Sequence, residues 1–151
     1  MSKFHFNLET LLRYREGIEQ NARDELMRRI YEQQVELKKR EDIQTRLQTT
    51  ISELTEKQAE NYECHEMSIY QTYLKRLAQE ICECENRMDK LRLEMDAQKV
   101  VFIDASKKRK ILSSMKNKKE KAFNIERERS WQKEIDDLVI LRYAYEDDEQ
   151  G

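Results

Sequence analysis

The residue types best suited to chemistry are few: two histidines, His5 and His65, and three cysteines, Cys64, Cys82 and Cys84. A nucleophilic triad needs a Ser or Cys, a His and an acid within hydrogen-bond reach of one another. His5 and His65 lie far apart along the chain, and neither has such a set around it. Cys64, His65, Cys82 and Cys84 together supply zinc-type ligands, but a structural zinc site needs four of them converging on one tetrahedron. On a helix, Cys82 would lie ~25 Å along the axis from Cys64. Cys82 and Cys84 are two apart and point to different faces. Thiols acting as ordinary core or surface side chains are the reading that remains. No Gly-rich loop offers backbone amides to a phosphate. The expectation is a protein that is not an enzyme, with no metal and no cofactor.

Lys107–Lys121 concentrates eight basic residues (Lys107, Lys108, Arg109, Lys110, Lys116, Lys118, Lys119, Lys121) against one acid, Glu120. Such a run can be a solvated face, a docking face for an acidic protein, or a nucleic-acid contact. It lacks interleaved aromatics, and the whole chain carries a net charge of −2, so no nucleic acid is expected as a partner.

These residues must be positioned by something, and the composition says what. The 151 residues are 40% charged and 38% hydrophobic, with 2 Gly and no Pro. Sheets and compact α/β domains need turns built from Gly and Pro; a chain this poor in both, and rich in Glu, Lys, Arg, Leu and Gln, reads as coiled coil. The segment Met1–Leu12 has no basic stretch followed by an apolar one, so no signal peptide is expected. The odd number of cysteines then fits free thiols in a reducing cytoplasm. No run of apolar residues is long enough to span a membrane.

The governing pattern is a stripe from Met67 to Phe123: Met67, Tyr70, Leu74, Leu77, Ile81, Cys84, Met88, Leu91, Met95, Gln98, Phe102, Ala105, Arg109, Leu112, Lys116, Lys119, Phe123. The steps alternate three and four, as in the a and d positions of a coiled coil. A first helix is expected from Leu8 to about Asn61, capped by Asn7 with a Phe6–Leu11 staple. Its stripe reads Leu26, Ile30, Gln33, Leu37, Arg40, Gln44, Leu47, Ile51, Leu54, Gln58 and Asn61. Upstream, Ile18, Ala22 and Leu26 are four apart twice, close to a stutter, and Gly17 softens the helix nearby.

Residues 62–66 are the expected turn. Folding one stripe onto the other places Leu54 opposite Leu74, Ile51 opposite Leu77, Leu47 opposite Ile81, Arg40 opposite Met88 and Leu37 opposite Leu91, centred at Cys64. Short connections give antiparallel neighbours. The expected fold is all-α: one elongated antiparallel two-helix coiled-coil hairpin over residues 1–151, with helix two from about 67 to 143 and an acidic tail at 144–151. Pairing ends where helix one starts, near Leu8 and Lys119. Beyond it Ile125, Trp131, Ile135, Leu138 and Val139 continue an apolar face for roughly 30 Å with nothing in the chain to cover it. Trp131, Ile135 and Leu138, with Lys116 and Lys119 beside them, are expected to bind a partner. Near the turn, Tyr62, Tyr70 and Tyr73 cluster beside Leu74 and Leu77, and an aromatic cluster at a coil tip suits docking. Taken alone, these patterns give a coiled-coil interaction protein, a tether or a homodimer being one form of it.

Three phrases carry a resemblance to the flagellar FliJ family. Phe4-His5-Phe6-Asn7-Leu8-Glu9-Thr10-Leu11-Leu12-Arg13-Tyr14-Arg15, continued by Glu19, Ala22 and Leu26, resembles its opening. Tyr70-Gln71-Thr72-Tyr73-Leu74, with Leu77 and Ile81, resembles its second-helix entry, and Gln132-Lys133-Glu134-Ile135-Asp136-Asp137 its C-terminal phrase. The resemblance implies an antiparallel coiled coil similar to the central stalk of rotary ATPases. It implies a non-enzymatic stalk and chaperone of the flagellar type III export apparatus. Its partners would be the hexameric export ATPase FliI, the export gate protein FlhA, and export chaperones. It would be cytoplasmic and peripheral to the inner membrane through those partners. On this reading Trp131, Ile135, Leu138, Lys116 and Lys119 face the ATPase, and Tyr70, Tyr73 and Leu77 face the gate. The chain departs from the pattern in mid-helix one, where Arg40, Glu41, Gln44 and Gln48 are all polar.

Overall fold

A computed structural model describes residues 2–60 and 64–151. Two helices account for nearly all of them: α1, Glu9–Ala59, and α2, Cys64–Glu149. No strand occurs among the described residues. Good helix formers fill both sequences and no proline interrupts them, so each helix runs unbroken. The second helix begins three residues before the sequence-based start and ends six residues after its expected end. Asn61 and Tyr62, assigned to the end of helix one and to the turn, lie outside the described residues. The chain divides into two units, Glu19–Asp104, and residues up to Ile18 together with Ala105–Gly151.

In the unit Glu19–Asp104 the helices pack antiparallel, as cross-helix bonds show by descending along α1 while ascending along α2. Lys57 Nζ donates to the Tyr70 hydroxyl at 2.9 Å. Arg40 pairs with Glu85 at 3.2 Å, and Arg87 Nε donates to Glu36 at 3.2 Å. Arg29 pairs with Glu94, and Gln98 Nε2 donates to the Ala22 carbonyl at 3.2 Å. On α2 the expected stripe holds residue for residue: Met67, Tyr70, Leu74, Leu77, Ile81, Cys84, Met88, Leu91, Met95, Gln98 and Phe102 are all shielded. Leu77 and Cys84 are the most deeply buried side chains.

On α1 the phase is different. Leu37 and Ile51, expected in the seam, are 39% and 46% exposed, whereas Thr50 is 8% exposed. A shielded series runs Glu19, Ala22, Leu26, Arg29, Gln33, Glu36, Arg40, Ile43, Leu47, Thr50, Leu54, with Ile30 and Gln44 of the expected stripe half-buried beside it. This series alternates three and four throughout, so no stutter is needed. Arg40, expected opposite Met88, meets Glu85, and Glu36 meets Arg87. The facing register therefore differs from the sequence-based alignment by about half a heptad.

A polar seam position costs least when its polar atoms are bonded. Thr50 Oγ1 donates to the Arg46 carbonyl one turn back, at 2.7 Å. Arg29 and Arg40 carry their guanidinium tips outward to Glu94 and Glu85, while their Nε atoms stay buried and unbonded. Glu36 sits between Arg87 and Lys39, 3.2 and 3.4 Å away. Burial pushes its pKa up, but the Arg87 hydrogen bond and the charges of Arg87 and Lys39 pull it down by more, leaving it below the ordinary carboxylate value. A folded-state pKa below the unfolded one stabilises the hairpin above the unfolded carboxylate range and ceases to do so as pH falls through the folded value. Thermal stability is therefore expected to decline on acidification below about pH 4, and Glu36→Gln to flatten that decline. An unchanged acid limb in Glu36→Gln would show that other carboxylates carry it.

The other unit has its own small core. Phe6, Leu12 and Leu112 are buried together, with Phe4 and Leu8 packed against them. Phe4 and Phe123 stack with ring centroids 5.7 Å apart, tilted by 50°. Burying one such ring contributes on the order of 2 kcal/mol. Glu9 N donates to the Phe6 carbonyl and Leu12 N to the Leu8 carbonyl. Leu8, not Asn7, thus accepts the first bond of α1, and Phe6 packs with Leu12 rather than with the exposed Leu11. Cover of α2 ends at Phe123 and Asn124; every residue from Ile125 onward is exposed. Because α2 continues to Glu149, ~37 Å of helix lies bare. Local pairs such as Arg142–Glu146 at 3.5 Å and Gln132–Asp136 at 3.1 Å support it.

Candidate partner-binding surfaces

The bare end of α2 shows an apolar face to solvent. Trp131, Ile135 and Leu138 step four and then three residues apart, so they share one side of the helix. Trp131 is 58% exposed and Leu138 66%. Ile125 and Val139 flank them, and Ile140, Leu141, Tyr143 and Tyr145 extend the exposed apolar surface around the helix. Those last four did not stand out in the sequence, although the run Leu138-Val139-Ile140-Leu141 was a signal for them. Apolar surface concentrated in this way is uncommon on a monomer and marks an interaction site.

Lys116 and Lys119 lie at the root of this stretch but are not simple outward charges. Lys116 Nζ pairs with Glu9 at 2.9 Å, and Lys119 Nζ sits 5.8 Å from the Phe6 ring centroid, a cation–π distance. Both lysines hold the N-terminal lead against α2. Sequence reasoning gave that lead no packing role beyond a staple. The same region forms a groove of about 620 Å³ lined by Phe4, Phe6 and Phe123, with Lys3, Arg13, Lys116 and Arg127 and the acids Glu9 and Glu120 around them. The Lys107–Lys121 run is split by the helix: Arg109 and Lys116 are shielded while Lys107, Lys110, Lys118 and Lys121 face solvent.

In the other unit, the tyrosine residues near the start of α2 are unlike one another. Tyr70 accepts a hydrogen bond from Lys57, whose ammonium also lies 4.9 Å from its ring centroid. Tyr73 is exposed, and Ile69, one turn earlier, is more exposed still. Ile69 was missed in the sequence; its four-residue spacing from Tyr73 is what links them. Leu77 is 1% exposed, so it belongs to the seam and supports this face from beneath without being available for contact.

Cys64 and Cys82 are exposed and Cys84 is buried, its Sγ accepting from Arg87 Nη2 at 3.2 Å. Among the described residues no group of three His, Cys, Asp or Glu side chains gathers as a metal site. Among the described residues no helix is long and apolar enough to cross a membrane. No curated protein and no solved structure matches the chain. A family model described as Flagellar FliJ protein matches residues 4–147.

Proposed function

Because the chain belongs to the flagellar FliJ family, and so to the flagellar export apparatus, we propose that it is a non-enzymatic stalk of that apparatus. The bare end of α2 enters the ring of the hexameric export ATPase FliI and promotes its assembly. The observation that carries this reading is the exposed face Trp131–Ile135–Leu138 on ~37 Å of uncovered helix. A helix this long and apolar on one side gains stability when a partner removes that face from water. A closed ring that receives the stretch in its pore is such a partner. Lys116 and Lys119, which fix the lead against α2, keep the root of the entering helix rigid.

At the other unit, Tyr73 and Ile69, with Tyr70 held by Lys57, form the face offered to the export gate protein FlhA. Leu77 is the buried support of that face. Export chaperones are further partners on this reading. The protein works at the cytoplasmic face of the inner membrane and is held there by its partners.

The test is ATP hydrolysis and light-scattering mass of the purified cognate export ATPase, with and without this chain. A faster rate together with a shift to the hexamer mass is expected. No change in either, at concentrations where the hairpin is folded, would leave a coiled-coil interaction protein whose partner is not this ATPase.

A further inference from the structure

In the unit Glu19–Asp104, α1 does not turn its most apolar stripe inward. Leu26, Gln33, Arg40, Leu47 and Leu54 recur every seven residues and are shielded. The positions between them come in two sets. Arg29, Glu36, Ile43 and Thr50 are in the seam. One residue along lie Ile30, Leu37, Gln44 and Ile51, of which Ile30 and Gln44 are half-buried and Leu37 and Ile51 exposed. Turning α1 by about 50° exchanges the two sets. Two charged side chains and a threonine leave the seam, two isoleucines and a leucine enter, and Gln44 replaces Ile43. The seam as it stands is held at its edges by ion pairs: Arg29 with Glu94, Arg40 with Glu85, and Glu36 with Arg87. It also keeps Arg29 Nε buried without a hydrogen bond, which the exchange would release.

We propose that the hairpin is a two-state element with a second register, in which α1 slides three residues toward its own C-terminus and turns its apolar set inward. In the structure the two shielded series interlock with Thr50 level with Leu74, Leu47 with Leu77 and Arg40 with Cys84, and Arg40 then reaches Glu85 and Glu36 reaches Arg87. Three residues along, Ile51 comes level with Tyr70, Leu47 with Leu74, Leu37 with Cys84 and Ile30 with Leu91. Both helices keep the three-and-four step, so every layer is filled again. Packed seams change in such discrete jumps and not continuously. The travel is ~4.5 Å. Gly17 supplies it: opening about three residues of helix there adds ~1.8 Å each, the difference between an extended and a helical rise. Gly17 is the poorest helix former in α1, and a Cβ on it would meet nothing within 4 Å, so packing does not require a glycine there. Travel the other way would have to shorten a helix. The slide also carries Lys57 ~4.5 Å farther from Tyr70, and the bond between them is lost. The tyrosine face therefore differs between the registers, and a partner that takes Tyr70 in place of Lys57 draws the hairpin into the second one.

The test is disulfide trapping in the whole chain, without ATPase, in a background of Cys64→Ser, Cys82→Ser and Cys84→Ala. Leu47→Cys with Leu77→Cys traps the register of the structure, and Leu47→Cys with Leu74→Cys traps the second. Leu47→Cys with Ile81→Cys is displaced by a similar distance the other way and measures random fluctuation. The 47–74 bond is expected to form at least about tenfold faster than the 47–81 bond. It is expected to form faster still at high salt, because the ion pairs of the first register are exposed and screened. Leu37→Gln with Ile51→Gln is expected to slow 47–74 trapping about tenfold and to leave 47–77 trapping and helicity unchanged, since both side chains are exposed in the first register. Gly17→Ala is expected to slow 47–74 trapping about fivefold. Equal trapping at 74 and 81 overturns the proposal. So does 47–74 trapping indifferent to Leu37→Gln with Ile51→Gln, which would make it a fluctuation of the first seam. A second measurement needs no substitution in the seam: amide hydrogen exchange around Gly17 is expected to quicken with salt relative to amides in the middle of α1, and a ratio that salt does not change overturns the proposal as well. None of these outcomes bears on ring assembly, which the hydrolysis assay decides by itself.

Discussion

Leu77→Ala is expected to lower the stability of the hairpin by about 3 kcal/mol, within the range for a fully buried Leu cut to Ala. Leu77 is 1% exposed and lies in the unbroken part of the α2 stripe. A two-helix seam is one side chain deep on each helix and open to solvent along both flanks, so little closed cavity is left behind, and the cost falls toward the lower part of that range. The control is Ile51→Ala. An alignment of the apolar stripes pairs Ile51 with Leu77 and predicts a similar loss from either. In the structure Ile51 is 46% exposed, and its truncation is expected to cost less than about 1 kcal/mol. Denaturant melts followed by circular dichroism decide the matter. Equal losses from the two variants would mean that the seam of α1 passes through Ile51 and not through Thr50.

The second large effect concerns the other end of α2. Trp131→Ala is expected to weaken ATPase capture by about 2 kcal/mol, or roughly thirtyfold in Kd. The melting transition and helicity are expected to stay where they were. Tryptophan gives more area per residue than any other side chain, and Trp131 is 58% exposed. Titration calorimetry against the ATPase checks the first half and a thermal melt the second. If Trp131→Ala unfolds the chain, the bare stretch packs internally and the assignment of this face to a partner fails.

The two helices differ in how plainly their sequences announce their packing, and the reason is physical. On α2 the stripe is apolar without a break from Met67 to Met95, so its seam positions could be read directly even though Ile69, Leu93, Val100 and Ile103 fall off it. On α1 two stripes one residue apart compete. One holds Leu37 and Ile51; the other holds Glu36 and Thr50. Hydrophobicity favours the first, yet the second is the one in the seam. Thr50 satisfies its hydroxyl on the Arg46 carbonyl, and Glu36 is met by Arg87 and Lys39. Those bonds offset the burial of polar groups, and they are invisible until the partner helix is in place. The choice also removes the stutter, since Glu19, Ala22 and Leu26 keep the three-and-four step.

The partner surfaces were legible in part for similar reasons. Trp131, Ile135 and Leu138 announce themselves because an apolar stripe outruns any helix that could cover it. Phe4 and Phe6 did not, because a short lead before a helix has no period from which packing can be inferred. Their role shows only in the contacts with Leu12, Leu112 and Phe123. Leu77 was placed among the docking residues by its neighbours Tyr70 and Tyr73. Its burial gives it to the seam instead, and the exposed residue that completes the face is Ile69.

The chain contains one tryptophan, and it sits on the bare stretch and outside both packed cores. Its fluorescence therefore reports on a different event from the one that tryptophan emission usually follows. Unzipping α1 from α2 uncovers an indole that is already 58% exposed, so the emission maximum moves less than that of a core tryptophan. Capture of the bare stretch by anything takes the indole out of water and shifts its emission to the blue. The protein thus carries an intrinsic optical probe of occupancy, far less sensitive to folding, that needs no label and no substitution to install.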